Sequence, residues 1–288
     1  MERVGSAIGF EDGDMLKKAL LLVLPNSLAR RIQQARARRM LAAFEKKEVR
    51  RLYGGYEFTL QIADPLGQAW YGQDTGPLPE VEFLRRFRLK PGARVFDLGA
   101  HQCVVALVLS RIVGAGGLVV AVEANAHNAR VGQRNKELNS AENLRVIPAA
   151  ASDRAGVIVF NDGMNGQISD GTPSPRSIQV RAVAIDDLMA EFGQPDVVFI
   201  DVEGFECKVL AGAKRALLGT PDCFVEVHIG AGLEALGGSL DAIVEFFPRE
   251  TYKLFMCSQE SPEPVPFQRG HEMTGSRFFL IAVADKTP

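Results

Sequence analysis

The sequence predicts an α/β fold: a mostly parallel, doubly wound sheet with helices on both faces, preceded by a helical N-terminal arm. Three observations predict it. From Arg94 onward, short runs rich in Val, Ile and Phe alternate with helix-period segments, the pattern of βαβ units. Several of those runs are continuously apolar, as in "GLVVAVEA" and "DVVFIDVEG", which suits strands buried on both faces. The first run ends in an acid and a glycine and enters an apolar helix directly, "RVFDLGAHQCVVALVLSRIV", a strand–turn–helix of the kind that opens ligand-binding α/β sheets.

Three zones divide the chain. Residues 1–52 read as a basic helical arm. Its stretch "LARRIQQARARRMLAAFEKKEVRRL" is built of strong helix formers. Between Arg30 and Arg51 it sets nine basic residues against two acids. A solvated helix is the plain reading, and contact with an anionic membrane surface or an acidic partner is the sharper one. Residues 53–91 are rich in Gly, Pro and aromatics. They predict a strand at "YEFTLQI", then loops holding Trp70 and Tyr71, then a short helix near Pro79 to Phe87. The loops either pack on the core or form a lid.

Residues 92–288 carry the alternation. "RVFDLG" is a strand, "CVVALVLSRIV" a helix and "GLVVAVEA" a strand. "NAHNARVGQRNKELN" is a helix capped by Asn125, and "LRVIPAA" a third strand. "GVIVF" and "SIQVRAV" flank a polar loop as a strand pair. "IDDLMAEF" is a helix, "DVVFIDVEG" a strand, "FECKVLAGAKRALL" one helix and "CFVEVHI" a strand. "LDAIVEFF" is a helix. "TYKLFMC" and "RFFLIAVAD" follow with no helical segment between them, so they suit an antiparallel end of the sheet.

Composition narrows the function classes. The chain has 288 residues, 47% hydrophobic, and a formal net charge of −2, which is ordinary globular balance and gives no argument for nucleic acid. Four cysteines, Cys103, Cys207, Cys223 and Cys257, form no CxxC pair, which speaks against zinc. Three of them sit in apolar runs, as reduced thiols of a cytoplasmic protein do. No signal peptide is read, and the early apolar run "ALLLVL" stops at Pro25, far short of the roughly 20 residues of a membrane span.

Ligands of open α/β sheets bind at the carboxyl ends of the strands. The polar residues there are Asp97, Gly99, His101 and Gln102; Glu123 and Asn125; Ser152 and Asp153; Asp201, Glu203 and Gly204; Glu226 and His228. Buried strands do not need so many acids at one rim. A dinucleotide needs G-x-G-x-x-G after the first strand, but "GAHQCV" has one glycine. Asp97 would repel a pyrophosphate and attract an ammonium or sulfonium centre. Glu123, one strand over, is placed to accept ribose hydroxyls. S-adenosylmethionine has these features. Asp201, Glu226 and His228 also suit Mg²⁺ or Mn²⁺ chemically, but their spacing does not support a metal, and none is expected.

In order, "VFDLGAHQC", "VVAVEAN", "RNKELNSAENLRVIPAAASDRAG", "IDDL", "VVFIDVEGFECKVLAGA" and "FVEVH" resemble the FkbM-type S-adenosylmethionine-dependent methyltransferases, from about Asp64 to Val227. The resemblance implies a class I, Rossmann-like fold with a seven-stranded sheet. It departs from the usual first motif at His101, which stands for Asn, and at Cys103, which stands for Gly. It implies that Asp97, Gly99, Ala100 and His101 form the turn beside the methionine moiety. Glu123 and Ala124 would serve the ribose, Ser152 and Asp153 would lie near the adenine, and Asp201 would face the reaction centre. Asp201 and His228 are the candidate bases, with a small-molecule acceptor such as a polyketide, sugar or glycolipid methylated on a hydroxyl or carboxyl oxygen. The rival readings are a non-catalytic Rossmann-like binding module and a nicotinamide-dependent oxidoreductase.

Overall fold

The computed structural model describes residues 39, 41, 43–161, 167–168, 177–259, 261–268 and 277–285. Most of the expected arm lies outside these residues. Its last part, expected to be helical, is instead strand β1, Lys47–Tyr53. β1 pairs antiparallel with β2, Tyr56–Ile62, in a register that closes at Tyr53 opposite Tyr56. Gly54 and Gly55 make the turn at φ 60° and 85°, the left-handed pair a two-residue hairpin needs. Gly54 also lies against Val108, where a Cβ would meet the side chain at 2.7 Å. The local helix propensity of this stretch yields to that pairing and docking.

The loops expected to hold Trp70 contain a helix, α1, Pro65–Tyr71. Pro65 presets its first turn, and Asp64 caps it by accepting from Gly67 N at 2.7 Å. Helix α2 follows at Pro79–Leu84.

The main sheet is assembled from β3 (Arg94–Leu98), β4 (Leu118–Glu123), β5 (Leu144–Pro148), β10 (Val197–Ile200), β11 (Asp222–Val227), β12 (Tyr252–Cys257), the two-residue β13 (Val265–Pro266) and β14 (Phe278–Ala284). Its order is β13-β12-β14-β11-β10-β3-β4-β5. The five strands from β11 to β5 are parallel. β14 runs antiparallel between β11 and β12, so the antiparallel end expected from the missing helix is present. Without β13 the sheet has the seven strands the resemblance implies.

Successive strand residues point to opposite faces, and two cores result. Val95, Val119, Val197 and Phe199 enter one; Phe96, Val120, Val198 and Ile200 enter the other. Helices α3 (Val104–Val113) and α4 (Ala126–Leu138) follow β3 and β4. Asn125 caps α4, accepting from His127 N and Asn128 N. A second sheet joins β6 (Ala150–Ala151), β9 (Ser177–Val183), β7 (Gly156–Asn161) and β8 (Gln167–Ile168) in that order. It includes the expected strand pair, β7 with β9.

Helix α5 spans Ile185–Phe192. The single helix expected next is two, α6 (Glu206–Ala211) and α7 (Lys214–Leu218). The break falls at Gly212, where a Cβ would stand 2.4 Å from the Ser152 carbonyl oxygen, so close packing displaces a continuous helix. Helix α8 is Leu240–Glu245. All four cysteines are free. No helix among the described residues is long and apolar enough to cross a membrane.

Candidate active site

The turn after β3 carries three consecutive demands on the backbone. Gly99 adopts φ 90°, and a Cβ there would stand 1.7 Å from the Asp201 carbonyl oxygen, so only glycine fits. His101 and Cys103 adopt φ 47° and 59°, a left-handed conformation that costs a non-glycine residue energy. The loop therefore keeps a glycine-like path with bulky residues on it.

Packing explains how. Cys103, fully buried, is the residue before α3. Its Sγ faces Gly132 on α4, where a Cβ would come within 2.5 Å of the sulfur. The space that Cys103 takes is space that Gly132 leaves. His101 is held by three neighbours. Its backbone N donates to Glu123 Oε2 at 2.8 Å, its Nδ1 lies 3.0 Å from the Tyr71 hydroxyl, and its ring centroid is 4.8 Å from that of Trp70. Burial holds the imidazole down at about 4, hence neutral. Its Nε2 is buried without a hydrogen-bond partner.

Helix α1 is tied to the same loop from below. Gln102 donates to Asp64 Oδ2 at 2.6 Å, and His127 Nε2 lies 2.8 Å from the same oxygen. Asp64, Trp70, Tyr71 and His127 thus belong to the site's frame. Neither His127 nor Asp64 is among the site residues expected from the sequence. The D-P pair of a capped helix start was the available signal.

Asp97, at the end of β3, is buried, and its Oδ2 has no hydrogen-bond partner. Burial, and next the Asp201 carboxylate, push it up to about 7. Glu123, at the end of β4, is also buried. Its oxygens accept from His101 N and from Asn125 N, the latter at 2.6 Å. Burial pushes it up to about 8 against the pull of those two donors. Ala100 N donates to Val122 O, and Ala124 follows Glu123 directly.

Across β10 and β11 a second group gathers. His228 is fully buried. Its Nδ1 lies 2.6 Å from Oε1 of the equally buried Glu206. Its Nε2 lies 3.4 Å from Glu203 Oε2 and 3.8 Å from both Asp201 Oδ1 and Glu226 Oε1. Burial pulls the imidazole down, but Glu206, Glu203 and Asp201 outweigh it and raise it above its ordinary value. Arg277 grips Glu203 at 2.9 Å and lies 3.7 Å from Glu226. No sequence signal marked Arg277, because it arrives from the far end of the chain. Asp201 is two-sided: Oδ1 is buried without a partner, while the side chain as a whole is 46% exposed. Burial and the Glu226 carboxylate raise it well above the usual range.

Ser152 and Asp153 follow β6 and make hydrogen bonds of their own. Ser152 N donates to Val183 O at 2.9 Å and its hydroxyl to Asp153 Oδ1 at 3.1 Å. Both pack beside Gly212, where a Cβ would meet the Ser152 carbonyl oxygen at 2.4 Å and Asp153 Cα at 3.0 Å.

The residues present fit S-adenosylmethionine. Asp97 offers a buried, unpartnered oxygen to a cationic group. Each Glu123 oxygen retains acceptor capacity for a hydroxyl beyond its one backbone donor. His101 Nε2 and Gln102 Oε1 are further orphaned polar atoms around the same turn, and buried polar atoms ordinarily have partners.

The Methyltransferase FkbM domain family matches residues 97–254. Among solved structures, the chain is similar to methyltransferase FkbM from Methylobacillus flagellatus KT, at 17% identity and TM-score 0.45. That match covers 66% of this chain and 43% of the other, less than half of that protein's length. It is similar to a putative rRNA-methylase from Clostridium thermocellum, at 11% identity and TM-score 0.45, over 71% of this chain and 93% of that one. It is also similar to Aeropyrum pernix fibrillarin, solved with natively bound S-adenosyl-L-methionine, at 12% identity and TM-score 0.44, over 85% and 86% of the two chains. No curated protein matches the chain.

Proposed function

This chain belongs to the FkbM methyltransferase family, and from that premise we propose that it transfers a methyl group from S-adenosylmethionine to an oxygen of a small molecule. The observation that carries the reading is Asp97: a buried carboxylate oxygen without a partner, one strand from Glu123 and one strand from Asp201. An anion in that position suits a cationic cofactor and opposes a pyrophosphate. A nicotinamide dinucleotide, which carries a pyrophosphate, fits this turn poorly.

When bound, the cofactor supplies a methyl group on a positively charged sulfur. The chain's own residues do the rest. Asp97 and the Gly99 turn orient the amino-acid end, and Glu123 the ribose. Helix α1, with Trp70 against His101, shields the turn from water. Alignment in a dry site supplies most of what such a transfer needs. A hydroxyl acceptor must also lose its proton. Asp201 takes it on its open side, or His228 takes it from 3.8 Å behind.

Calorimetric titration with S-adenosylhomocysteine tests the premise, with one site per chain expected. No binding at millimolar ligand would leave a non-catalytic module. Turnover of Asp201→Asn and His228→Gln at saturating cofactor tests the base. Undiminished rates in both would remove the proton-acceptor roles.

A further inference from the structure

We propose that Asp201, Glu203 and His228 form a binding site for one divalent cation at the carboxyl ends of β10 and β11. One ligand atom from each lies within 4.8 Å of the others. Clustered acids alone would mean little. Two buried atoms aimed into this cluster set it apart.

The first is His228 Nε2. It lacks a hydrogen-bond partner in a fully buried side chain and faces Glu203 Oε2 at 3.4 Å and Asp201 Oδ1 at 3.8 Å. Its other nitrogen is held by the buried Glu206 at 2.6 Å. A carboxylate fixing one ring nitrogen while the other is offered to oxygens is how metal-ligating histidines are oriented. The second is Asp201 Oδ1, also buried and unpartnered. Glu203 is fixed in place, since Arg277 donates to its Oε1 at 3.4 Å and to its Oε2 at 2.9 Å; a cation there shares Oε2 with that guanidinium.

The spacing is suitable. Bonds of roughly 2.1–2.5 Å at right angles put neighbouring donors about 3.0–3.5 Å apart. His228 Nε2 lies 3.4 and 3.8 Å from its two carboxylate oxygens, and no pair of the three ligand atoms is more than 4.8 Å apart, so a moderate closure seats one ion. One imidazole with carboxylates suits a first-row dication such as Mn²⁺ better than Ca²⁺. The site differs from the trio considered on sequence grounds by taking Glu203 in place of Glu226.

The use of the cation rests on the methyl-transfer reading. A cation beside Asp201 takes the acceptor's oxygen as a further ligand and favours its ionised form. Acceptors are then oxygen donors rather than cationic amines. His228 becomes a ligand, which excludes it as the base.

The experiment is Mn²⁺ titration of the full, metal-free chain followed by electron paramagnetic resonance. The expected result is one Mn²⁺ per chain with hyperfine coupling to a directly bound imidazole nitrogen. His228→Gln abolishes that coupling. Glu206→Gln, which frees the ring, weakens binding about 10- to 100-fold. Near-UV circular dichroism checks both folds, and if neither folds, the nitrogen coupling of the unaltered chain decides. No binding at millimolar Mn²⁺, binding without nitrogen coupling, or undiminished affinity in folded variants would overturn the site. A chain that binds Mn²⁺ in this way but not S-adenosylhomocysteine keeps the cation site and loses the methyl-transfer reading; the reverse result keeps the reading and loses the site.

Discussion

Asp97 shows what the site costs the empty protein. Its carboxyl titrates near 7 when folded and near 3.9 when unfolded. The folded state therefore holds its proton more tightly. Stability contributed by this group is highest at low pH, declines as pH rises from about 4, and reaches its full penalty above about 7. Asp97→Asn removes the titrating group and keeps the shape. The melting temperature of the variant should exceed that of the parent by a margin that grows from pH 5 to pH 8, read by scanning fluorimetry. Its affinity for S-adenosylmethionine should fall at least about tenfold, since a charge-assisted contact is worth about 1.5–3 kcal/mol. A margin that does not change with pH would mean Asp97 is ionised throughout. This exchange of stability for a charged site is common where function requires it. The acid itself was legible in "RVFDLG", because a strand-end carboxylate has few structural uses. The acidic cluster's Arg277 was not, because its contact with Glu203 spans 74 residues of chain.

At the scale of elements, the crossing of α3 and α4 rests on a size exchange. Gly132→Ala alone should destabilise by about 1–3 kcal/mol, because the added methyl overpacks Cys103 Sγ. In a Cys103→Gly background the same substitution should become neutral or favourable, since alanine is the better helix former by about 1 kcal/mol. Urea unfolding of the four proteins yields the coupling, and additivity within about 0.5 kcal/mol would dismiss the exchange. The unusual Cys103 was visible in the sequence, but its compensating glycine was not, because nothing local links position 103 to position 132. The hairpin is a different kind of miss. Gly54-Gly55 between alternating residues was a readable turn, and the helix formers before it masked the signal. Asp64 presents a third case, where one side chain caps α1 and anchors Gln102 and His127. Asp64→Ala should cost about 1–2 kcal/mol through the lost cap. It should also weaken S-adenosylhomocysteine binding by loosening the loop, which calorimetry would show; a loss of stability with affinity intact would confine Asp64 to capping.

Over the whole molecule, the alternation of strands and helices was legible because burial on both faces leaves long apolar runs. The strand order was not, because β14 inserts between β11 and β12 through pairings that no local pattern encodes. That order brings the ends of β3, β4, β10 and β11 side by side, so acids far apart in sequence share one rim. A ligand that bridges those ends should stabilise the fold as a unit. At 100 times its dissociation constant, S-adenosylhomocysteine contributes about 2.7 kcal/mol. For a chain of this size that raises the melting temperature by about 5 °C. At a fixed ligand concentration the rise should be larger above pH 7, where Asp97 is already ionised and its penalty in the empty protein is greatest. NADH at the same concentration should produce no shift, because Asp97 and the single glycine of the turn oppose its pyrophosphate. A shift with NADH and none with S-adenosylhomocysteine would return the sheet to the oxidoreductase reading, since the fold alone serves both chemistries and the β3 turn, by its charge and its single glycine, is what discriminates between the ligands.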